Sequence, residues 1–277
     1  MVVPMTDRVA NCVPDTLVED YAGDGAVVVR GLFSAAEIAL LREGIDANIA
    51  APSVRSIVAS RADDPGWFME DFCNWQDNPA YRQFIEGTSI AAAAARLMRS
   101  RQVRLFHDHM LVKEPGTAQR TAWHQDQPYY NVDGRQNVSF WIPVDPVPED
   151  WTLEFVAGSH VGPWLMPRTF MTAEARWFPA GSLEEIPDIE ADREAHTILR
   201  WAIEPGDAVA FHMLTLHGAA GVQGIQRRRV FSVRLLGDDI VHAPRRWKTS
   251  PEFPGLSEEL PAGSAMDHPL FPVLAQR

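Results

Sequence analysis

With 277 residues, 46% of them hydrophobic and 22% charged, the chain has the composition of a globular protein and of neither a disordered nor a fibrous one. Its 25 Lys and Arg stand against 37 Asp and Glu, and the formal charge of −12 speaks against a nucleic-acid or anionic-membrane partner, since both need clustered cations. The cysteines, Cys12 and Cys73, lie far apart and in no CxxC spacing, so neither a disulfide framework nor a thiolate zinc site is expected.

At the start of the chain there is no basic stretch followed by an apolar run, as a signal peptide would need, and no later stretch suits a membrane span. A cytoplasmic protein with no membrane partner is the expectation. Ala26–Leu32 is a short β-branched run bounded by glycines and predicts a strand. Ser34-Ala-Ala-Glu37 then has the spacing of a capping box, and Ile38, Leu41, Ile45 and Ile49 give the following helix one buried stripe. Asn78-Pro79 predicts a second helix start, with Phe84, Thr88, Ala91, Ala95 and Met98 on its inner face. Between the two lies an aromatic stretch, Trp67–Trp75.

From Val103 the texture changes to short strand-like runs separated by Pro, Gly and Asp clusters: Val103–Val112, Val138–Val144, Leu153–Val156, Ala208–Leu216 and Arg229–Leu236. Val161–Pro205 interrupts them with Trp164, Trp177, Trp201 and an acidic section, Glu184–Glu194, which reads as a solvated loop. Ala243–Arg277 is rich in proline and lacks periodicity. The expected organisation is one domain over 1–277. Residues 1–100 form a mainly helical layer, 103–242 an antiparallel barrel or sandwich with an insertion at 161–205, and 243–277 a C-terminal tail. Long loops of that kind are most often lids or binding loops.

Most of the nine histidines call for no special role. The informative segment is Trp123-His124-Gln125-Asp126: if it is extended, residues i and i+2 share a face and set an imidazole beside a carboxylate. Alone, such a pair is an ordinary polar strand end. His217, closing Gly206–His217, is the best third partner. Two histidines and a carboxylate on one face of a metal leave three positions open, the facial triad of non-haem Fe(II) oxygenases. Arg228, at the start of the next strand-like run, could hold the far carboxylate of a dicarboxylic acid bidentately. Strand parity with Val230, Ser232 and Arg234 favours it over Arg227 and Arg229, provided no bulge intervenes.

These segments taken in order resemble the phytanoyl-CoA dioxygenase family of Fe(II)- and 2-oxoglutarate-dependent oxygenases. The likeness runs through Asp24-Gly-Ala-Val-Val-Val-Arg-Gly-Leu-Phe33, Lys113-Glu-Pro-Gly116, His124-Gln-Asp126, Ser139–Asp145, Glu154–His160 and Gly206–His217 with Arg228. It implies a mainly β fold with flanking helices, a double-stranded β-helix or jelly roll, with the metal at its mouth. It implies that His124, Asp126 and His217 bind Fe(II), that Arg228 binds the distal carboxylate of 2-oxoglutarate, and that Lys113 and Trp141 line the cosubstrate pocket. Oxygen is then the co-reactant, and hydroxylation of a C–H bond of a small molecule the reaction. Asp126 favours that outcome, because related halogenases carry a small residue there. Ala219 stands where the family often has a serine. The chain shows no basic run suited to a CoA phosphate.

His107-Asp108-His109 is a rival ligand pair on a strand that the resemblance places along the barrel, where packing or a substrate-facing role suits it better. His212 sits at an odd offset from His217 and should face the other way, and His160 reads as structural. For Trp67, Phe68, Phe72, Trp75, Trp164, Trp177 and Trp201, core or lid packing outweighs a place in a substrate pocket, where an aromatic cage for a cation would be one use. Two other functions use the same residues: a cupin-like metal isomerase or hydrolase without 2-oxoglutarate, and a non-catalytic small-molecule-binding barrel.

Overall fold

The computed structural model describes residues 5–60, 66–117, 120–167, 181–219 and 227–276. Two short helices, α1 (Met5–Cys12) and α2 (Asp15–Asp24), precede the first strand, β1 (Ala26–Val29). Gly25 ends α2 in the left-handed region, φ 78°, which a residue with a Cβ adopts only at a cost. The expected capping box opens α3 (Ala35–Ala50): Ser34 Oγ accepts from the Glu37 amide, and Glu37 Oε2 accepts from the Ser34 amide at 2.6 Å. Ile38, Leu41 and Ile45 are buried as the stripe required.

The aromatic stretch holds a strand that the sequence reading did not assign, β3 (Phe68–Phe72), paired with β2 (Ile57–Val58). The helix expected from Asn78 is two helices, α4 (Pro79–Gly87) and α5 (Ile90–Leu97). Asn78 Oδ1 accepts from the Ala80 and Tyr81 amides as the cap. Thr88, at φ −106° and ψ 177°, is extended and stops the first helix. Gly87, Thr88 and Ser89 in succession supply weak helix formers, two of them with hydroxyls that compete for backbone groups.

The remaining strands are β4 (Gln102–Lys113), β5 (Thr121–His124), β6 (Val132–Asp133), β7 (Asn137–Pro143), β8 (Leu153–Val156), β9 (Ile198–Leu199), β10 (Ala208–Phe211), β11 (His217–Ala219), β12 (Arg228–Leu236), β13 (Val241–His242) and β14 (Val273–Gln276), with a short helix α6 (Leu256–Glu259). One sheet runs β1-β10-β7-β12-β4-β3-β2, with β14 also on β4; a second runs β5-β11-β8-β9. The pairings within both are antiparallel.

Period-two alternation divides the large sheet cleanly. Phe231, Val233 and Leu235 of β12 face outward into the core formed with α3, α4 and α5, where Tyr81 lies 4.3 Å from Phe231 between ring centroids. Val230, Ser232 and Arg234 face the interior between the sheets. The run expected as a strand over Ala208–Leu216 is a strand only as far as Phe211, and the next strand starts at His217. β10 belongs to the large sheet and β11 to the small one, and the chain crosses over in a turn at His212–Leu216, with Thr215 N donating to His212 O at 2.8 Å. That crossing carries His217 from one sheet to the other.

The insertion is tied to the small sheet. β9 pairs with β8, Trp201 packs near Phe155, and Arg193 binds Glu154 through two bonds of 3.1 and 2.7 Å. The acidic section is less free than a solvated loop, since Glu190 Oε1 accepts from Trp123 Nε1 at 2.9 Å. Trp177 falls outside the described residues. The tail is also anchored: Leu256, Leu260, Met266 and Phe271 pack with Phe106 and Tyr130 of the barrel.

Candidate metal centre

His124 ends β5 and His217 begins β11, and the two are direct cross-strand partners with ring centroids 4.2 Å apart. Asp126 comes to them by a turn instead of a continued strand. β5 stops at His124, and Asp126, at φ −75° and ψ −45°, starts a short 3-10 turn, its amide bonded to Met213 O at 2.8 Å. The expected juxtaposition therefore arises, though not by strand parity. The Gln125 side chain straps the turn down: its Nε2 donates to Leu214 O at 2.9 Å and its Oε1 accepts from Leu165 N at 2.8 Å.

One ligand-capable atom from each of His124, Asp126 and His217 lies within 4.8 Å of the others, and all three residues are buried. It is the single such group of three or more found among the described residues. The donor chemistry suits a divalent transition metal. His124 Nδ1 lies 2.8 Å from the Ala122 carbonyl and His217 Nδ1 2.8 Å from the Thr215 carbonyl. A carbonyl only accepts, so each Nδ1 carries the proton and each Nε2 keeps its lone pair. These Nε2 atoms stand 3.5 and 3.8 Å from Asp126 Oδ1.

Asp126 Oδ2 is held from behind by Arg234 Nη2 at 3.2 Å and by Ser139 Oγ at 3.4 Å. Burial by itself would raise the Asp126 pKa; the Arg234 guanidinium and the two histidines outweigh it and keep the carboxyl well below its ordinary value. His217 is pushed down to about 3, mainly by burial, so it stays neutral, the form that binds metal. Arg234 is a functional residue that the motifs alone do not single out. Its signal was present, because it lies on the same face of the same strand as Arg228.

The centre opens on a cavity of about 480 Å³ between the sheets. Arg228 and Lys113 are cross-strand partners in its wall, both buried, with the Trp141 ring 5.6 Å from the guanidinium carbon. Arg228 donates to the Trp151 carbonyl, and burial draws its pKa down to about 10. Its neighbours point elsewhere. Arg229 pairs with Asp145 at 2.8 Å and Asp46 at 2.9 Å, and the exposed Arg227 pairs with Glu114 at 2.7 Å. Parity thus sets Arg228 on the cavity side, as expected.

His109 lines the cavity, whereas His107 does not, and neither joins the ligand group. His212 faces away from the centre: its Nε2 lies 2.9 Å from Arg135 O, and its Nδ1 accepts from Leu214 N. His160 is likewise structural, bonded to Ala22 O at 3.2 Å. Of the seven aromatics weighed above, Phe68 and Phe72 line the cavity, while Trp67 and Trp75 pack on the core and Trp164 stacks on Arg245. No described residue of the 161–205 insertion lines it. Ala219 packs in the inner apolar cluster and offers no hydroxyl.

Two sheets enclosing a buried His-Asp-His group beside a cationic pocket define a jelly-roll protein with a facial-triad centre. The chain belongs to the phytanoyl-CoA dioxygenase (PhyH) family, which matches residues 21–230. It is similar to the ectoine dioxygenase of Stutzerimonas stutzeri (strain A1501), 25% identical over 240 residues that cover 82% of this chain and 78% of that one. Among solved structures it resembles SnoK, a non-haem alpha-ketoglutarate-dependent carbocyclase from nogalamycin biosynthesis (TM-score 0.74, 21% identity, 95% and 97% of the two chains). It also resembles the epimerase SnoN, solved with Fe3+, alpha-ketoglutarate and nogalamycin RO (TM-score 0.74, 22% identity, 94% and 98%). No helix among the described residues is long and apolar enough to cross a membrane.

Proposed function

We propose that the protein is an Fe(II)- and 2-oxoglutarate-dependent oxygenase that hydroxylates a C–H bond of a small molecule. The observation that carries the reading is the buried His124-Asp126-His217 group, with both imidazole tautomers set by backbone carbonyls. Iron bound there with 2-oxoglutarate and oxygen supplies oxidative decarboxylation to succinate and removal of a hydrogen atom from an unactivated carbon.

The chain's own residues have distinct tasks. His124, Asp126 and His217 would hold the ion with three protein ligands, which would leave positions for cosubstrate and oxygen. Arg234 and Ser139 keep Asp126 ionised and oriented through its second oxygen. Arg228 and Lys113 offer a dicarboxylate two buried cations, with Trp141 as a flat wall beside them. Leu153, Phe211 and Val230 line the cavity beside the reacting centre with apolar surface.

The test is anaerobic addition of Fe(II) and 2-oxoglutarate to the pure protein, which should produce a visible charge-transfer band. Asp126→Ala should abolish the band and substrate-coupled succinate release; retention of both would sink the triad assignment. A second outcome has support in the likeness to an epimerase and a carbocyclase: rearrangement of a substrate without net insertion of oxygen. The product's mass separates the two, since hydroxylation adds one oxygen atom, epimerisation changes nothing and ring closure removes two hydrogens.

A further inference from the structure

We infer that Glu70 and His109 form the substrate-recognition end of the cavity, and that the substrate presents to them a protonated nitrogen attached to an apolar body. This rests on the reading of the metal centre and cosubstrate end given above, and names the substrate class for the space left over.

The cavity wall carries polar groups of opposite character. Arg228 and Lys113 are cationic. The other is Glu70 of β3, two residues along from Phe68, the partner of Lys113, and it is buried at 4% exposure yet faces the cavity. Its one ion-pair partner among the described residues is His109, with Nε2 3.5 Å from Glu70 Oε2. His109 Nε2 is buried and makes no proper hydrogen bond at that separation. The ring cannot turn away, because Phe72 stacks on it at 3.9 Å between centroids and 18° between planes. Burial draws the His109 pKa below its ordinary value, against the pull of Glu70, so the imidazole brings no charge to the pair at neutral pH.

Among the described residues Glu70 makes no salt bridge to a lysine or arginine, so a carboxylate that faces the cavity lacks a directly paired cation to offset its desolvation. A ligand ammonium supplies that charge and its N–H donors. The apolar part follows from the register. Ile57 of β2 pairs with Glu70, and Ile57 and Val58 stand at the cavity rim, 45% and 64% exposed. A head group on Glu70 therefore leaves its hydrocarbon part against that rim. Arg228 and Lys113 repel the same cation, which fixes the orientation of the substrate relative to 2-oxoglutarate.

The experiment is calorimetric titration of benzylammonium, benzyl alcohol and benzoate into the protein loaded anaerobically with Fe(II) and 2-oxoglutarate. Benzylammonium should bind at least about tenfold more tightly than the other two, the span of one charge-assisted hydrogen bond. Glu70→Gln, close to isosteric, should erase that preference while the Fe(II)–2-oxoglutarate band persists. Equal affinities, a preference for benzoate, no binding by any probe, or a cation preference that survives in Glu70→Gln would each overturn the inference. Should Glu70→Gln not fold, the three-probe series on the unaltered protein decides alone. Failure of the parent reading is separable: the charge-transfer band would be missing, while the same titrations on unloaded protein would still report the Glu70 end.

Discussion

Replacing Arg228 by leucine should stabilise the ligand-free protein and weaken the cosubstrate-bound one. The guanidinium is 7% exposed, donates to the Trp151 carbonyl, and has no ion-pair partner among the described residues. Burial moves its pKa from 12.5 to about 10, which at about 1.4 kcal/mol per unit is a desolvation cost of roughly 3 kcal/mol. Leucine keeps contact with the Trp141 face, removes that cost and forfeits about 1 kcal/mol of hydrogen bond. The ligand-free variant should then gain about 1–2 kcal/mol, or roughly 2–6 °C in Tm for a chain of this size. Truncating one partner of a buried charge pair costs about 2–5 kcal/mol of binding. Lys113 stays opposite, so the low end applies, about 2–3 kcal/mol or roughly 30–150-fold in the Kd for 2-oxoglutarate. Thermal melts with and without anaerobic Fe(II) and 2-oxoglutarate read both effects: the variant should melt above the parent when ligand-free and below it when loaded. A variant less stable in the ligand-free state, or one that gains as much from 2-oxoglutarate as the parent, would refute the reasoning.

Arg229→Ala is the matched control, because its guanidinium is engaged by Asp145 and Asp46, and 2-oxoglutarate affinity should not change in the same titration. Arg234→Gln should weaken Fe(II) or Mn(II) binding about 10–100-fold by freeing the Asp126 carboxylate, as read by metal titration; unchanged affinity would deny it the supporting role. Acid should destabilise the metal-free fold before its carboxylates titrate. His212 and His217 are held neutral with pKa values of about 3, chiefly by burial, against 6.5 in the unfolded chain. Below pH 6.5 the unfolded state takes up protons that the native state refuses, so stability is full above that pH and falls on the acid side. The loss is about 2 kcal/mol per histidine by pH 5, and urea melts at pH 7.5 and 5 that coincide would contradict it.

The strands from Val103 onward were legible because short runs of strand-forming residues are set apart by Pro, Gly and Asp clusters. Most are buried on both faces and so do not alternate in polarity. Strand parity picked Arg228 out of three consecutive arginines, and the structure sets it on the cavity face while Arg227 and Arg229 pair outward. The helix break at Thr88, the end of the Ala208–Leu216 run at Phe211 and the strand at Phe68–Phe72 were not legible. The last two are settled by which distant segment takes the backbone bonds, as when Gly25 O accepts from His212 N, and no local periodicity encodes that choice. The break at Thr88 has a local cause, but the inner-face pattern runs through it.

The residue types of the centre are a property of the sequence: an HxD pair, a distant histidine and an arginine on a strand limit the chemistry that the chain can perform. Their convergence belongs to the tertiary structure. The turn at Gln125–Asp126, the crossing at His212–Leu216 and the register that sets His217 opposite His124 assemble the group from two separate strands. Arg234 acquires its meaning only there, because a guanidinium's role depends on which buried carboxylate it meets, and that is decided by long-range packing. The same holds for Glu70: in sequence it is one acidic residue of 37, and in the fold it is a buried carboxylate facing a cavity.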